Sequence, residues 1–157
     1  SAGFNNVQIL NEVNDYEGIT LIKTLGQHGR PKVVEDMKEL LGEVSGIILK
    51  HPDEKTFYIA GDTVWCEEVE NTLSKYHPDV VVLNSCDAQV IGNESIIMGK
   101  EDIYEVYKAA PEATIIASHM EAVNHATLTR KELGEFLRAK EMTQRVLVPH
   151  DGESYTF

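Results

Sequence analysis

Three stretches of this 157-residue chain place metal-ligand side chains directly after apolar, β-rich runs. Thr56-Phe57-Tyr58-Ile59-Ala60 ends in Gly61-Asp62-Thr63, Ile19 to Leu25 ends in Gly26-Gln27-His28-Gly29, and Ala113 to Ala117 ends in Ser118-His119-Met120. Glycine lets the backbone turn tightly out of a strand, and the helical pattern after Asp62 would set the positive end of a helix beside its carboxylate. Open α/β folds place their sites just beyond the carboxyl ends of strands. His28, Asp62 and His119 therefore read as one constellation. Neutral imidazole and carboxylate form a ligand set for zinc and also serve manganese or iron(II). A metal held this way turns bound water into hydroxide near neutral pH and polarises a carbonyl or phosphoryl oxygen, which is hydrolytic chemistry.

Further candidates surround these three. Glu121 and His125 are four residues apart and would share a face if their segment were helical, which makes them substrate-binding candidates; a solvated turn is the other reading. Asp87 follows an apolar run closely enough to support the site from behind. His150, after Val146-Leu147-Val148, is an additional candidate, whereas His51 and His77, each beside a proline, read as surface residues. Ser85-Cys86 and Ser118-His119 bring nucleophile types near strand ends, but no Gly-x-Ser-x-Gly elbow and no glycine-rich phosphate loop occur.

The elements that must carry these residues alternate between strand and helix patterns. Val7 to Leu10 and Ile19 to Leu25 read as strands around a polar, turn-rich stretch, Asn11 to Gly18. From Pro31 a helix is expected, with Val33, Met37, Leu40, Leu41 and Val44 at helical spacing. Gly46 to Lys50 and Thr56 to Ala60 flank Pro52-Asp53-Glu54-Lys55 as an antiparallel hairpin. Trp65, Val69, Leu73 and Tyr76 form a helical face, and Pro78-Asp79 ends that helix before the apolar run Val80 to Leu83, which suits a covered, interior strand. Asn84 to Gly99 reads as a loop, and Ile103, Val106, Tyr107 and Ala110 as a helix ended by Pro111. Thr129-Arg130-Lys131-Glu132 is a capping box with Leu128 and Leu133 as its hydrophobic staple, so a helix is expected from Arg130 to about Ala139. There is no internal repeat, and the reading is a single α/β domain over residues 1–157.

Composition narrows the partners. The chain has 14 basic against 26 acidic residues, a formal charge of −12, and no basic cluster interleaved with aromatics, which argues against nucleic acid and anionic membranes. Its two cysteines, Cys66 and Cys86, lack Cys-x-x-Cys spacing and indicate neither a disulfide framework nor a thiolate zinc site. Ser1-Ala2-Gly3 carries no signal-peptide features. Cytoplasmic residence is the expectation.

Taken in order, Gln27-His28-Gly29, Tyr58-Ile59-Ala60-Gly61-Asp62-Thr63, Asp79 to Asn84, Ser118-His119-Met120-Glu121-Ala122-Val123-Asn124-His125 and Pro149-His150-Asp151-Gly152-Glu153 resemble metallo-β-lactamase-fold hydrolases, most of all the branch around L-ascorbate-6-phosphate lactonase. The resemblance implies that His28 is a ligand of a first metal, that Asp62 bridges two metals, and that His119 is a ligand of the second, the metals being zinc or manganese. The family's His-x-His-x-Asp-His motif is absent from this sequence. The expected fold is therefore the later part of an αββα sandwich with an incomplete metal site. Exposed sheet surface would then call for a homodimer or a complementing chain. Two functions follow: a metal-dependent hydrolase of a lactone, ester or phosphoester of a small polar molecule, or a non-catalytic oligomeric binding or interaction module.

Overall fold

The computed structural model describes residues 3–90, 94–121 and 123–157. Ser1 and Ala2, residues 91–93 of the expected loop and Ala122 of the Ser118–His125 stretch lie outside them. Its centre is a seven-stranded sheet in the order β1-β2-β3-β4-β5-β8-β9. The strands are β1 (Val13–Tyr16), β2 (Ile19–Leu25), β3 (Ser45–Lys50), β4 (Phe57–Ile59), β5 (Val80–Asn84), β8 (Thr114–Ser118) and β9 (Val146–Leu147), and β6 (Gln89–Val90) pairs with β7 (Glu94–Ser95) as a separate two-stranded ribbon. The helices are α1 (Pro31–Leu41), α2 (Glu67–Tyr76), α3 (Lys100–Ala109) and α4 (Arg130–Ala139).

Two pairing modes set strand direction. β1 to β4 run antiparallel to one another, and β4, β5, β8 and β9 run parallel. As a result β2, β4, β5, β8 and β9 all point the same way, and their carboxyl ends share one edge of the sheet. The run Val80 to Leu83 becomes the interior strand β5, with Val80, Val81 and Leu83 fully buried.

The two faces of this sheet differ sharply. One row across it, Ile48, Tyr58, Val81, Ile115 and Val146, is buried, and residues from all four helices (Val33, Val69, Leu73, Ile103, Val106, Leu133, Leu137) join it in a single apolar cluster. The opposite row, Ile47, Ile59, Val82, Ile116 and Leu147, is only partly covered although equally apolar. Leu25 and Ile59 on that side are 64% and 38% exposed. The chain ends cover part of it: residues 5–10 line a groove with Leu21 and Ile47, and the ring of Phe157 meets Phe57 edge-on at 5.9 Å.

The first strand differs from the sequence expectation. Val7 to Leu10 is not a strand; the partner of β2 is Val13–Tyr16, inside the stretch expected to be a loop. Glu17 and Gly18 both adopt left-handed backbone, φ 52° and 86°, and so make the two-residue turn that matches strand twist. Register, rather than apolar density, decided the pairing. The expected Asn84–Gly99 loop likewise contains the short β6–β7 ribbon. The capping box forms as read: Thr129 Oγ1 accepts from the Glu132 N–H, and Glu132 Oε2 accepts from the Thr129 N–H at 3.0 Å. Arg30 makes a two-pronged bond to the buried Asp102 carboxylate, 2.8 Å to each oxygen, joining the start of α1 to the start of α3.

Tyr58 Oη and Thr24 Oγ1 are buried in this core without a hydrogen-bond partner among the described residues. Burial pushes the Tyr58 phenol up to about 12. A group held protonated by folding contributes stability below its unfolded value, and that contribution is lost as pH rises through the folded one. Tyr58→Phe is expected to leave stability at neutral pH unchanged or raised by about 1 kcal/mol, since it removes an unpaired buried group. It should also remove the part of the wild-type decline that falls between about pH 10 and about pH 12. Urea titrations across that range check both, and a loss of stability at neutral pH would show that the hydroxyl is bonded. Arg30→Ala, which strands the Asp102 carboxylate, should cost about 3 kcal/mol in the same assay.

Candidate functional site

The shared strand edge carries His28 after β2, Asp62 after β4, Asn84 at the end of β5, His119 after β8 and His150 after β9. β3 lies between the strands of His28 and Asp62, and β5 lies between those of Asp62 and His119. Neighbouring strands are about 4.8 Å apart, so each histidine approaches Asp62 from a strand two positions away, on opposite sides.

The loop of His28 is tied to that of Asp62 across the end of β3. Thr63 is fully buried; its Oγ1 accepts from the Gln27 N–H at 2.9 Å and donates to the Val64 carbonyl at 2.9 Å, while the Val64 N–H donates to the Gln27 carbonyl. Gly61, with φ 73° and its Cα facing the Ser45 carbonyl, makes the turn that delivers Asp62. The helix after Asp62 begins only at Glu67, so its positive end is not beside the carboxylate, contrary to expectation. That field fades within the first turn, and Glu67, Glu68 and Glu70 occupy it.

Asp62 Oδ1 accepts from Asn84 Nδ2 at 2.6 Å. His119 Nδ1 lies 3.6 Å from Cys86 Sγ. Burial pushes the Cys86 thiol up, and the negative charges of Asp62 and Asp87 push it further, which places Asp62, Cys86 and His119 in one neighbourhood. Three residues here, Asp87, His119 and Glu121, hold left-handed backbone, at φ 46°, 57° and 59°. Such strain costs of order 1–3 kcal/mol each and persists only where the surroundings impose it.

Asp87 accepts from Ser95 Oγ, Gln89 Nε2 and Thr127 Oγ1, and so joins the β6–β7 ribbon to the loop before α4. Glu121 bonds Arg130 through both carboxylate oxygens, to the backbone N–H at 3.2 Å and to Nη1 at 2.6 Å. No helix forms between β8 and α4 among the described residues, and His125 is exposed with Nδ1 3.1 Å from Asn124 Oδ1. Arg130 also holds Asp151 and the Pro149 carbonyl. His119, Arg130 and the exposed His150 line a cleft of about 270 Å³. His51 and His77 sit in the hairpin turn and at the end of α2, away from this edge. Asn84 is not among the candidates read from the sequence; its position at the end of an interior parallel strand, between the strands that lead to Asp62 and His119, is the signal that marks it.

No family model matches the chain. It is 51% identical to the UPF0173 protein YddR of Bacillus subtilis over all 157 residues, which is 61% of that protein. Its structure superposes on an isothiocyanate hydrolase from Delia radicum gut bacteria with a TM-score of 0.94 at 44% identity, and on a possible metal-dependent hydrolase from Veillonella parvula with 0.95 at 40%. Each match covers 99% of this chain and 60% of the other. The metallo-β-lactamase fold protein YhfI of Bacillus subtilis shares the fold alone, with a TM-score of 0.57 at 12% identity. The chain has the metallo-β-lactamase fold. It spans about three fifths of the length of the relatives it matches.

A metal is the group implied by the name of one matched protein, a possible metal-dependent hydrolase. The donor types suit one, and His28 Nδ1 is buried without a hydrogen-bond partner among the described residues, as a nitrogen awaiting a ligand would be. Yet among the described residues no three His, Cys, Asp or Glu side chains are placed to hold an ion. The residues present therefore do not form a metal centre by themselves. Arg130 is the fastener of the His119 side, so Arg130→Ala should speed amide exchange in residues 149–153 while Leu133 to Leu137 stay protected. Hydrogen exchange followed by mass spectrometry reads this directly, and unchanged exchange at 149–153 would contradict it.

Proposed function

We propose that this chain is the larger portion of a metal-dependent hydrolase, contributing His28, Asp62 and His119 to a zinc or manganese site that further polypeptide must close. One observation carries the reading: relatives named as hydrolases match the chain end to end at 40% and 44% identity yet are longer by about two fifths of their own length, while the chain's own donors fall short of a ligand set. Substrates in keeping with it are small polar lactones, esters or phosphoesters, of the kind handled by the lactonase-like branch. Isothiocyanates join them because one relative is named for them. The cleft beside His119 and His150 is the place for such a molecule, with Glu121 and His125 on its approach.

The partly covered sheet face supports a complementing chain or a second copy as the cover. A second reading, an oligomeric binding module without catalysis, is favoured by the absence of a three-donor group among the described residues.

Metal analysis after equilibration with zinc or manganese separates these readings. The chain alone should retain well under one equivalent. Addition of the part of YddR outside the matched region should raise retention to stoichiometric levels and bring hydrolysis of a test ester or isothiocyanate, both lost in Asp62→Ala. Retention that stays near zero in the mixture would leave the binding module. Sedimentation at micromolar concentration tests the second copy, and a well-folded monomer would rule it out.

A further inference from the structure

The carboxyl end of β5 lies between those of β4 and β8, and side chains there reach to both sides. Toward β4, Asn84 Nδ2 donates to Asp62 Oδ1 over 2.6 Å. Toward β8, the Cys86 sulfur sits 3.6 Å from His119 Nδ1. We propose that Asn84 and Cys86 are the positioning residues of the Asp62 and His119 pair. Asn84 engages one carboxylate oxygen and leaves Oδ2 to a ligand; Cys86 accepts the Nδ1–H of His119 and leaves the lone pair of Nε2 to a ligand. This rests on the reading of Asp62 and His119 as site residues given above.

The backbone around β5 makes such a role possible. Asn84 pairs with Ser118 in the parallel register, and the Ser85 N–H donates to the Ser118 carbonyl at 3.0 Å, so the two strands stay locked up to the residue before His119. The Cys86 carbonyl accepts from the N–H groups of both Thr127 and Leu128 at 3.0 Å, clasping the far end of the loop that starts at His119. His119 itself has left-handed backbone, a conformation that must be imposed from outside.

The direction of the sulfur contact follows from donor strength. Cys86 is 0% exposed, so water does not compete for its sulfur. A thiol is a weak donor, and an imidazole N–H is the stronger of the two, so the ring donates. Partners of this kind matter wherever an imidazole or carboxylate must meet a ligand, because they fix tautomer and rotamer before the ligand arrives.

The test needs neither metal nor substrate. Nitrogen-15 and carbon-13 NMR of the chain is recorded at alkaline pH. Wild type should show His119 as one tautomer, Nδ1 pyrrole-like and Nε2 pyridine-like. Cys86→Ala should draw the two nitrogen resonances together as the tautomers exchange, and Cys86→Ser should restore their separation. Asn84→Ala should move the Asp62 carboxyl carbon and leave the His119 nitrogens in place. A pyridine-like Nδ1 in wild type, nitrogens already averaged there, or an Asp62 signal indifferent to Asn84 would overturn the proposal. If Cys86→Ala does not fold, wild type and Cys86→Ser still decide it, since Nε2 must be pyridine-like in both. Failure of the hydrolase reading would appear in metal retention and turnover and would leave these resonances untouched.

Discussion

The common direction of five strands is the constraint on which the site depends. Once β2 and β3 form an antiparallel pair and β3 and β4 another, β2 must run with β4; parallel pairing then carries the same direction through β5, β8 and β9. Backbone hydrogen bonding therefore brings His28, Asp62, Asn84, His119 and His150 to one edge, although the first and last are more than a hundred residues apart in the chain. Open sheets concentrate chemistry at such an edge because every loop that leaves it is free to vary while the strands beneath stay rigid.

Helix packing on a single face is the second governing feature. The row through Ile48, Tyr58, Val81 and Ile115 is sealed by residues of four helices, and the row through Ile47, Ile59, Val82 and Ile116 is not, although the two are alike in apolar character. An apolar patch of that extent marks an interaction surface in most soluble proteins.

Strain and fastening meet where the site is. Three left-handed residues, Asp87, His119 and Glu121, fall there, and around them lie the bonds of Arg130 to Glu121 and Asp151 and those of Asp87 to Ser95, Gln89 and Thr127. Glu121, read in the sequence as a candidate binder, is held by Arg130. A carboxylate beside a loop histidine looks the same in a sequence whether it faces substrate or a neighbouring guanidinium, and only the approach of Arg130 from another element distinguishes the two.

The sequence by itself determined the elements whose signals are local. The Thr129–Glu132 capping box, the continuous apolar run of β5, the Pro52–Lys55 hairpin connection and the glycine turn before Asp62 each arise from backbone conformation and periodicity within a few residues. Ordered motifs were enough to indicate the fold. Tertiary structure decided what depends on partners far along the chain: the β1 register, set by pairing with β2 in place of the apolar Val7 to Leu10; the Asn84 bond to Asp62; the Cys86 contact with His119; and the coverage of only one sheet face. These are long-range pairings, and a residue's own type does not say which of several possible neighbours the completed sheet will set beside it.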